Sequence, residues 1–200
     1  MAHDGGPPPE PDPVVYTGSV PGLGALGPTV ERFDAWADAQ LERLRGNPVA
    51  DRVFTTASAL GDFSMIWHVA NVARAMTSAD RRRQLPALAL AIGAESLLVN
   101  QGIKRLFKRI RPTESGDDRY QVRKPSTSSF PSGHASAAAF NATVLAGWDG
   151  KRSAPLWWSL AGIVATSRAY VRIHHASDVV AGLAVGAALG RVARRALRRF

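Results

Sequence analysis

Three short stretches of the chain carry the side chains that phosphate chemistry needs. Lys104 stands two helical turns ahead of Arg111-Pro112, Pro131-Ser132-Gly133-His134 follows, and Ser167-Arg168 then precedes His174, with Asp178 one turn further on. Together they supply three cations, two histidines, a carboxylate and a Ser-Gly turn. An enzyme that moves a phosphoryl group through a histidine, without metal, needs that inventory. A phosphoryl group in transit spreads negative charge over its equatorial oxygens, so its catalysis is largely positioning and electrostatic stabilisation. Lys104, Arg111 and Arg168 fit a positive cradle: guanidinium groups grip two oxygens at once, and the ammonium acts as a point charge. The Lys104–Arg111 spacing predicts one shared helical face, with Pro112 at the helix end. Taken singly, the run reads equally as a solvated basic stretch.

The Ser132-Gly133 pair precedes an Ala-rich stretch from Ala135 to Trp148 and predicts a helix N-terminus, whose backbone N–H groups and dipole favour an anion. His134 at that point suits a general acid that protonates a departing alkoxide. Alone, the segment reads better as an ordinary cap beside an incidental histidine. His174 and Asp178, at i and i+4, share one face of a predicted helix. The carboxylate can then accept from one ring nitrogen and leave the other to attack phosphorus. The bland alternative is a helix-stabilising contact. His175 points to another face and takes no role, and His68 and His3 have no partners in sequence. With no cysteine and no H-E-x-x-H set, neither a metal nor a cofactor is expected.

Together, the stretches from Lys104 to Asp178 resemble the pattern of the type 2 phosphatidic acid phosphatase family, which groups lipid phosphate phosphatases with bacterial acid phosphatases and vanadium haloperoxidases. No motif position departs from that pattern, and the first fifty or so residues carry no part of it. The resemblance implies that His174 forms a phosphohistidine, which water then hydrolyses. His134 and Asp178 would be its catalytic companions, and Lys104, Arg111, Ser132, Gly133 and Arg168 would hold the phosphate. It also implies a lipid phosphomonoester or pyrophosphate substrate: phosphatidate, undecaprenyl pyrophosphate, or a prenyl-phosphate sugar such as a phosphorylated prenyl-phosphoribose. The Ala- and Arg-rich composition suggests a high-GC bacterium and favours a polyprenyl-linked cell-envelope precursor. A soluble acid phosphatase or a vanadate-dependent haloperoxidase would present the same cradle, although the short chain and the missing signal-peptide pattern speak against both. A non-enzymatic basic helical protein anchored on anionic membrane is the third reading.

These side chains need a scaffold to bring them together. Residues 1–30 are rich in Pro and Gly and read as a mobile tail; residues 31–200 are expected to form the helical phosphatase domain that the resemblance implies. No charged start followed by an apolar core opens the chain, so no cleavable signal peptide is expected. Phe33, Trp36, Ala37, Leu41 and Leu44 predict an amphipathic helix, lying at an interface or packed on the domain. Five apolar helical stretches follow, near 51–75, 86–107, 133–149, 154–169 and 175–197. Strand-like alternation is nearly absent. The expected fold is an all-α helical bundle of about five to six helices.

Membrane insertion is argued from opposing signs. No stretch reaches ~18 uninterrupted apolar residues, and mean hydropathy is −0.09. Against that, Gly182, Gly186 and Gly190 recur every four residues, which lets helices approach closely as in lipid-embedded bundles. Trp148, Trp157 and Trp158 bracket a turn, as in an interfacial belt. We read the bundle as integral to the cell membrane and multi-pass, with Asp62, Glu95 and Asn100 facing its interior. The basic Arg74–Arg83 loop, the Lys151-Arg152 turn and the arginine-rich C-terminus then share the cytoplasmic side, and the active site faces outward. A net charge of +9 suits anionic partners, here a lipid phosphate substrate and membrane lipids. No zinc-finger, aromatic-basic or helix-turn-helix pattern points to nucleic acid. Homo-oligomerisation is left open.

Overall fold

Prolines and capping side chains decide where the helices of this chain begin. The structure, a computed structural model, describes residues 26–115, 119–123 and 125–197. In chain order the α-helices are α1 (Pro28–Glu42), α2 (Pro48–Gly61), α3 (Met65–Ala75), α4 (Ala79–Leu97), α5 (Gly133–Trp148), α6 (Ala154–Tyr170) and α7 (Ala176–Ala196). Pro28 and Pro48 open α1 and α2, a position where the missing N–H costs nothing. Asn47 caps α2 by accepting from Val49 N at 3.0 Å and Ala50 N at 3.2 Å. Most of the expected tail over residues 1–30 lies outside the described residues, and its last three belong to α1.

Two helix boundaries differ from expectation. The single stretch foreseen over 51–75 is broken after Gly61, where Phe63 and Ser64 take left-handed φ values of 53° and 58°. Such backbone costs ~1–2 kcal/mol per residue outside glycine, and the break turns Asp62 inward toward α5. Counting α2 and α3 as halves of one broken helix, the described all-α bundle has six helices. The helix foreseen from residue 86 begins at Ala79 instead. Ser78 caps it by accepting from Arg81 N at 3.2 Å, and Pro86 is carried inside. At its other end α4 loosens into a π turn over Leu98–Gly102 and a 3-10 turn over Ile103–Leu106.

The centre of the bundle is α5, in which every residue from Ala135 to Leu145 is buried. Its small side chains let α7 lie directly on its backbone. A Cβ on Gly182 would stand 2.4 Å from Ser132 O, one on Gly186 1.9 Å from Ser136 O, and one on Gly190 2.8 Å from Thr143 Cβ. The four-residue glycine spacing is thus the contact surface of α7. Trp67, Leu88, Ile92, Leu145 and Val164 fill the opposite flank. Trp157 joins this core rather than an interfacial belt, since its ring faces the bundle and only its neighbour Trp158 looks outward. Trp148 lies under the Arg74 guanidinium, 5.5 Å from its ring centre. Two helical stretches, Ala79–Leu106 and Ala176–Ala196, are long and apolar enough to cross a membrane.

A methyl group on Gly186 must push α7 off α5. We expect Gly186→Ala to lose ~1–3 kcal/mol or more through overpacking, read as a lowered thermal unfolding midpoint in detergent. Gly162→Ala is the control: nothing lies within 4 Å of its Cβ, so the midpoint should hold or rise through gained helix propensity.

Candidate active site

At one end of the bundle α6 finishes and α5 and α7 begin. The turn out of α6 is tight: Ile173 N and His174 N both donate to Arg168 O at 3.1 Å. This places the His174 ring inside the protein, 3% exposed. On its Nδ1 side, Ser129 Oγ is 3.4 Å away and Asp178 Oδ2 3.6 Å away. The second distance exceeds a hydrogen bond, and Ser129 bridges the gap by donating to Asp178 Oδ2 at 2.5 Å. On the Nε2 side, Arg111 Nη1 lies at 3.3 Å.

His174 and Asp178 therefore do not share a helical face as their spacing predicts. His174 precedes α7, His175 is its N-cap, and Asp178 is the third helical residue, accepting from His175 N at 2.9 Å. The helix start takes one carboxylate oxygen for its own orphan donors, and the histidine ring is met across the cap.

The cations arrive by a route the spacing did not predict. Lys104 sits buried on the 3-10 turn, and at Phe107 the backbone becomes extended. The Phe107 ring packs edge-on against Phe130 at 4.6 Å. Lys104 and Arg111 thus lie on no common helical face. Arg111 instead donates to Ile173 O at 2.9 Å, Thr127 O at 3.0 Å and Ser128 O at 3.3 Å, which fixes its guanidinium beside His174. Arg168 is 1% exposed. Its Nη1 donates to Ser58 Oγ, while its Nε and Nη2 have no partner among the described residues. Lys104 lies within electrostatic reach of Arg111, Arg168 and Asp178, and both His134 and His174 within reach of Arg168.

Ser132 and Gly133 close the site from below. Ser132 N donates to Asp178 O at 2.9 Å, and Ser132 Oγ accepts from Ala135 N at 3.4 Å. The next backbone N–H groups, of Gly133 and His134, open α5 and are the orphan donors of a helix start. A Cβ on Gly133 would stand 2.9 Å from Asn100 Oδ1. His134 Nε2 lies 3.0 Å from Asp62 Oδ1, and its ring fits only because residue 61 is glycine: a Cβ there would stand 2.5 Å from His134 Cδ2.

Five residues of this arrangement escaped sequence reasoning as site residues: Asp34, Gly61, Asp62, Arg109 and Ser129. Arg109 binds Asp178 Oδ1 through Nη1 and Asp34 Oδ2 through Nη2, the latter at 2.6 Å. Asp34 also accepts from Ser177 N at 2.7 Å and Ser177 Oγ at 2.8 Å. So α1 reaches the site with its one buried residue, Asp34 at 7% exposure, while Trp36 is 61% exposed. A carboxylate between Phe33 and Trp36 was the available sign; nothing in the basic run separates Arg109 from Lys108.

In the turn between α6 and α7, burial holds the His174 imidazole well below the ordinary histidine range. The positive fields of Arg111 and Arg168 push the same way, against the pull of Asp178. The ring is therefore kept neutral, with a lone pair.

The chain is similar to known proteins along much of its length. The model of the PAP2 superfamily matches residues 84–200. Decaprenylphosphoryl-5-phosphoribose phosphatase of Mycolicibacterium smegmatis is 34% identical over 155 residues, 74% of this chain and 80% of that protein. The protein of the same name from Mycobacterium tuberculosis is 34% identical over 136 residues, 68% of this chain and 73% of its own length. Among solved structures, a transmembrane PAP2 type phosphatidylglycerolphosphate phosphatase from Bacillus subtilis shares the fold with a TM-score of 0.64, at 24% identity over 88% of this chain and 89% of that one.

Two substitutions separate positioning from chemistry. Gly61→Ala displaces the His134 ring, and a misplacement of ~1 Å costs ~100-fold in rate, so phosphate-ester hydrolysis should fall by about that factor with the unfolding midpoint little changed. Ser129→Ala removes the bridge between His174 and Asp178. A roughly tenfold loss of turnover is expected, with activity measured by released phosphate.

Proposed function

The chain belongs to the PAP2 superfamily and is a phosphatase, and we propose that it dephosphorylates a lipid-linked phosphomonoester, a polyprenylphosphoryl phosphoribose, through a phosphohistidine on His174. The observation that carries the mechanism is the orientation of one ring: Nδ1 of His174 turns to Ser129 and Asp178, and Nε2 turns to the Arg111 guanidinium. Nε2 attacks phosphorus, the P–O bond to the alcohol breaks, and His134 gives the departing alkoxide a proton. Water, deprotonated by His134, then attacks the phosphohistidine; the P–N bond breaks and orthophosphate leaves. Lys104, Arg111, Arg168 and the N–H groups of Gly133 and His134 hold the three equatorial oxygens.

Support for the lipid-linked phosphoribose comes from the mycobacterial decaprenylphosphoryl-5-phosphoribose phosphatases, whose similarity to this chain extends over most of their length. The same reading puts the bundle in the cell membrane. Its outer surface is apolar on α3 (Val69, Val72, Met76), on α4 (Leu90, Leu97) and on α7 (Val180, Val192), besides the two stretches long enough to span. The bundle's far end gathers basic residues: Arg74 and Arg81 converge on Asp149 at the end of α5, and Arg194 lies against Gly147. By the positive-inside rule that end is cytoplasmic and the phosphatase site faces outward. Phe33 and Trp36, exposed on α1 beside the site, then sit at the headgroup level.

A panel of lipid and soluble phosphate esters, assayed with purified protein with and without EDTA, tests the substrate. We expect the polyprenylphosphoryl phosphoribose to be turned over best, and His174→Ala to abolish release; turnover retained in His174→Ala would refute the covalent route. The pH dependence has a definite sign. Because the folded His174 pKa is lowered, the ring stays neutral and nucleophilic as pH falls through ~6.5, the unperturbed histidine value. The acid limb of kcat/KM assigned to it should therefore lie below that pH.

A further inference from the structure

A polar cavity of about 330 Å³ opens beside the phosphate cradle, bounded by α2, the break after Gly61 and the 121–123 segment. Its walls include Thr55, Thr56, Asp62, Gln121, Arg123 and the cradle's own Arg168, with Ala59 and Val122 the apolar exceptions. The volume falls at the lower end of the ~300–1,000 Å³ common for small-molecule sites. An acyl or prenyl chain would leave these hydroxyl, amide, carboxylate and guanidinium groups unpaired, which is costly.

The cavity's position says which part of a substrate reaches it. In phosphoryl transfer the attacking and leaving atoms lie roughly in line through phosphorus, so the alcohol departs on the side away from His174. In the mechanism proposed above that side belongs to His134, whose Nε2 is 3.0 Å from Asp62 Oδ1, and Asp62 lines the cavity. Arg168 belongs to both spaces, and its Nε and Nη2, buried within the protein, have no partner among the described residues. At the rim the Arg123 guanidinium lies 4.6 Å from the Phe63 ring centre, held there by the left-handed turn that presents Phe63.

Resting on the phosphatase reading above, we propose that this cavity is the leaving-group subsite and takes a sugar. Asp62 and Gln121 read hydroxyls of the ring, the threonines close its floor, and Arg123 meets a second negative charge carried by the same alcohol. The acidic wall at Asp62 repels a phosphate and so keeps the scissile group on the Arg168 side. The lipid chain leaves past Arg123 rather than through the cavity. This subsite, rather than the cradle, is what makes the enzyme choose a lipid-linked sugar phosphate over a phosphate ester on glycerol.

The test compares the purified full chain with its Gln121→Ala/Arg123→Ala double variant in detergent micelles. Two quantities are read: kcat/KM on a polyprenylphosphoryl ribose 5-phosphate, and affinity for orthovanadate, which probes the cradle alone. We expect kcat/KM to fall by about tenfold to a hundredfold, as for lost charge-assisted hydrogen bonds, with vanadate affinity held within about twofold because neither residue belongs to the cradle. Charge-keeping Arg123→Lys should recover part of the loss. An unchanged kcat/KM, or a matching loss of vanadate affinity, overturns the subsite and leaves the phosphatase reading standing. A wild-type protein inert to every lipid phosphate overturns the parent reading as well.

Discussion

Like charges held together away from water repel, and this fold concentrates Lys104, Arg111 and Arg168 at one buried end of a helical bundle. Bringing cations out of solvent is costly unless partners compensate. The protein spends its nearby carboxylates elsewhere. Asp178 and Asp34 are engaged by Arg109, Asp178 also answers Ser129 and the start of α7, and Asp62 faces His134. The cradle thus keeps an excess of positive charge, with Nε and Nη2 of Arg168 unpartnered among the described residues. Such a site is complementary to a polyanion, and most of all to one whose charge grows in the transition state.

Holding that arrangement requires a rigid frame, and the frame is made by small residues. Because α5 is alanine-rich and α7 carries glycine at 182, 186 and 190, the backbone of α7 lies directly against that of α5. Their N-termini are then fixed together: Ser132 N donates to Asp178 O, so the turn that presents His134 and the cap that presents His174 cannot move apart. A third element, α1, is pinned to the same place by Asp34. Positioning catalytic groups on packed helix ends rather than on loose loops is what keeps a nucleophile and an acid aligned.

Much of this was legible in the residues. Lys104, Arg111, Ser132, Gly133, His134, Arg168, His174 and Asp178 could be singled out because residue type and local spacing carry chemistry, and the glycine spacing of α7 could be assigned to a close contact. What stayed hidden depends on pairing across long separations. Ser129 and Arg109 act through Asp178, and Asp62 through His134; no local pattern distinguishes them from solvated serines, arginines or aspartates. Local geometry was misjudged wherever a helix was extrapolated through its own end. The bend after Leu106 and the cap at His175 both satisfy backbone groups that a continued helix would have bonded internally, and periodicity does not register such endings. Trp157 was misread for a related reason: tryptophan suits an interface and a core alike, and only packing decides.

The account stands on a buried excess of positive charge that an anion relieves, and the most direct measurement is the thermal unfolding midpoint of the protein titrated with inorganic phosphate. Ligand that binds only the folded state stabilises by RT ln(1 + [L]/Kd). The midpoint of the wild-type protein should climb with phosphate concentration, and that of Arg168→Ala should climb far less. A wild-type midpoint indifferent to phosphate, or an equal rise in both proteins, would contradict the convergence of these cations into one cradle.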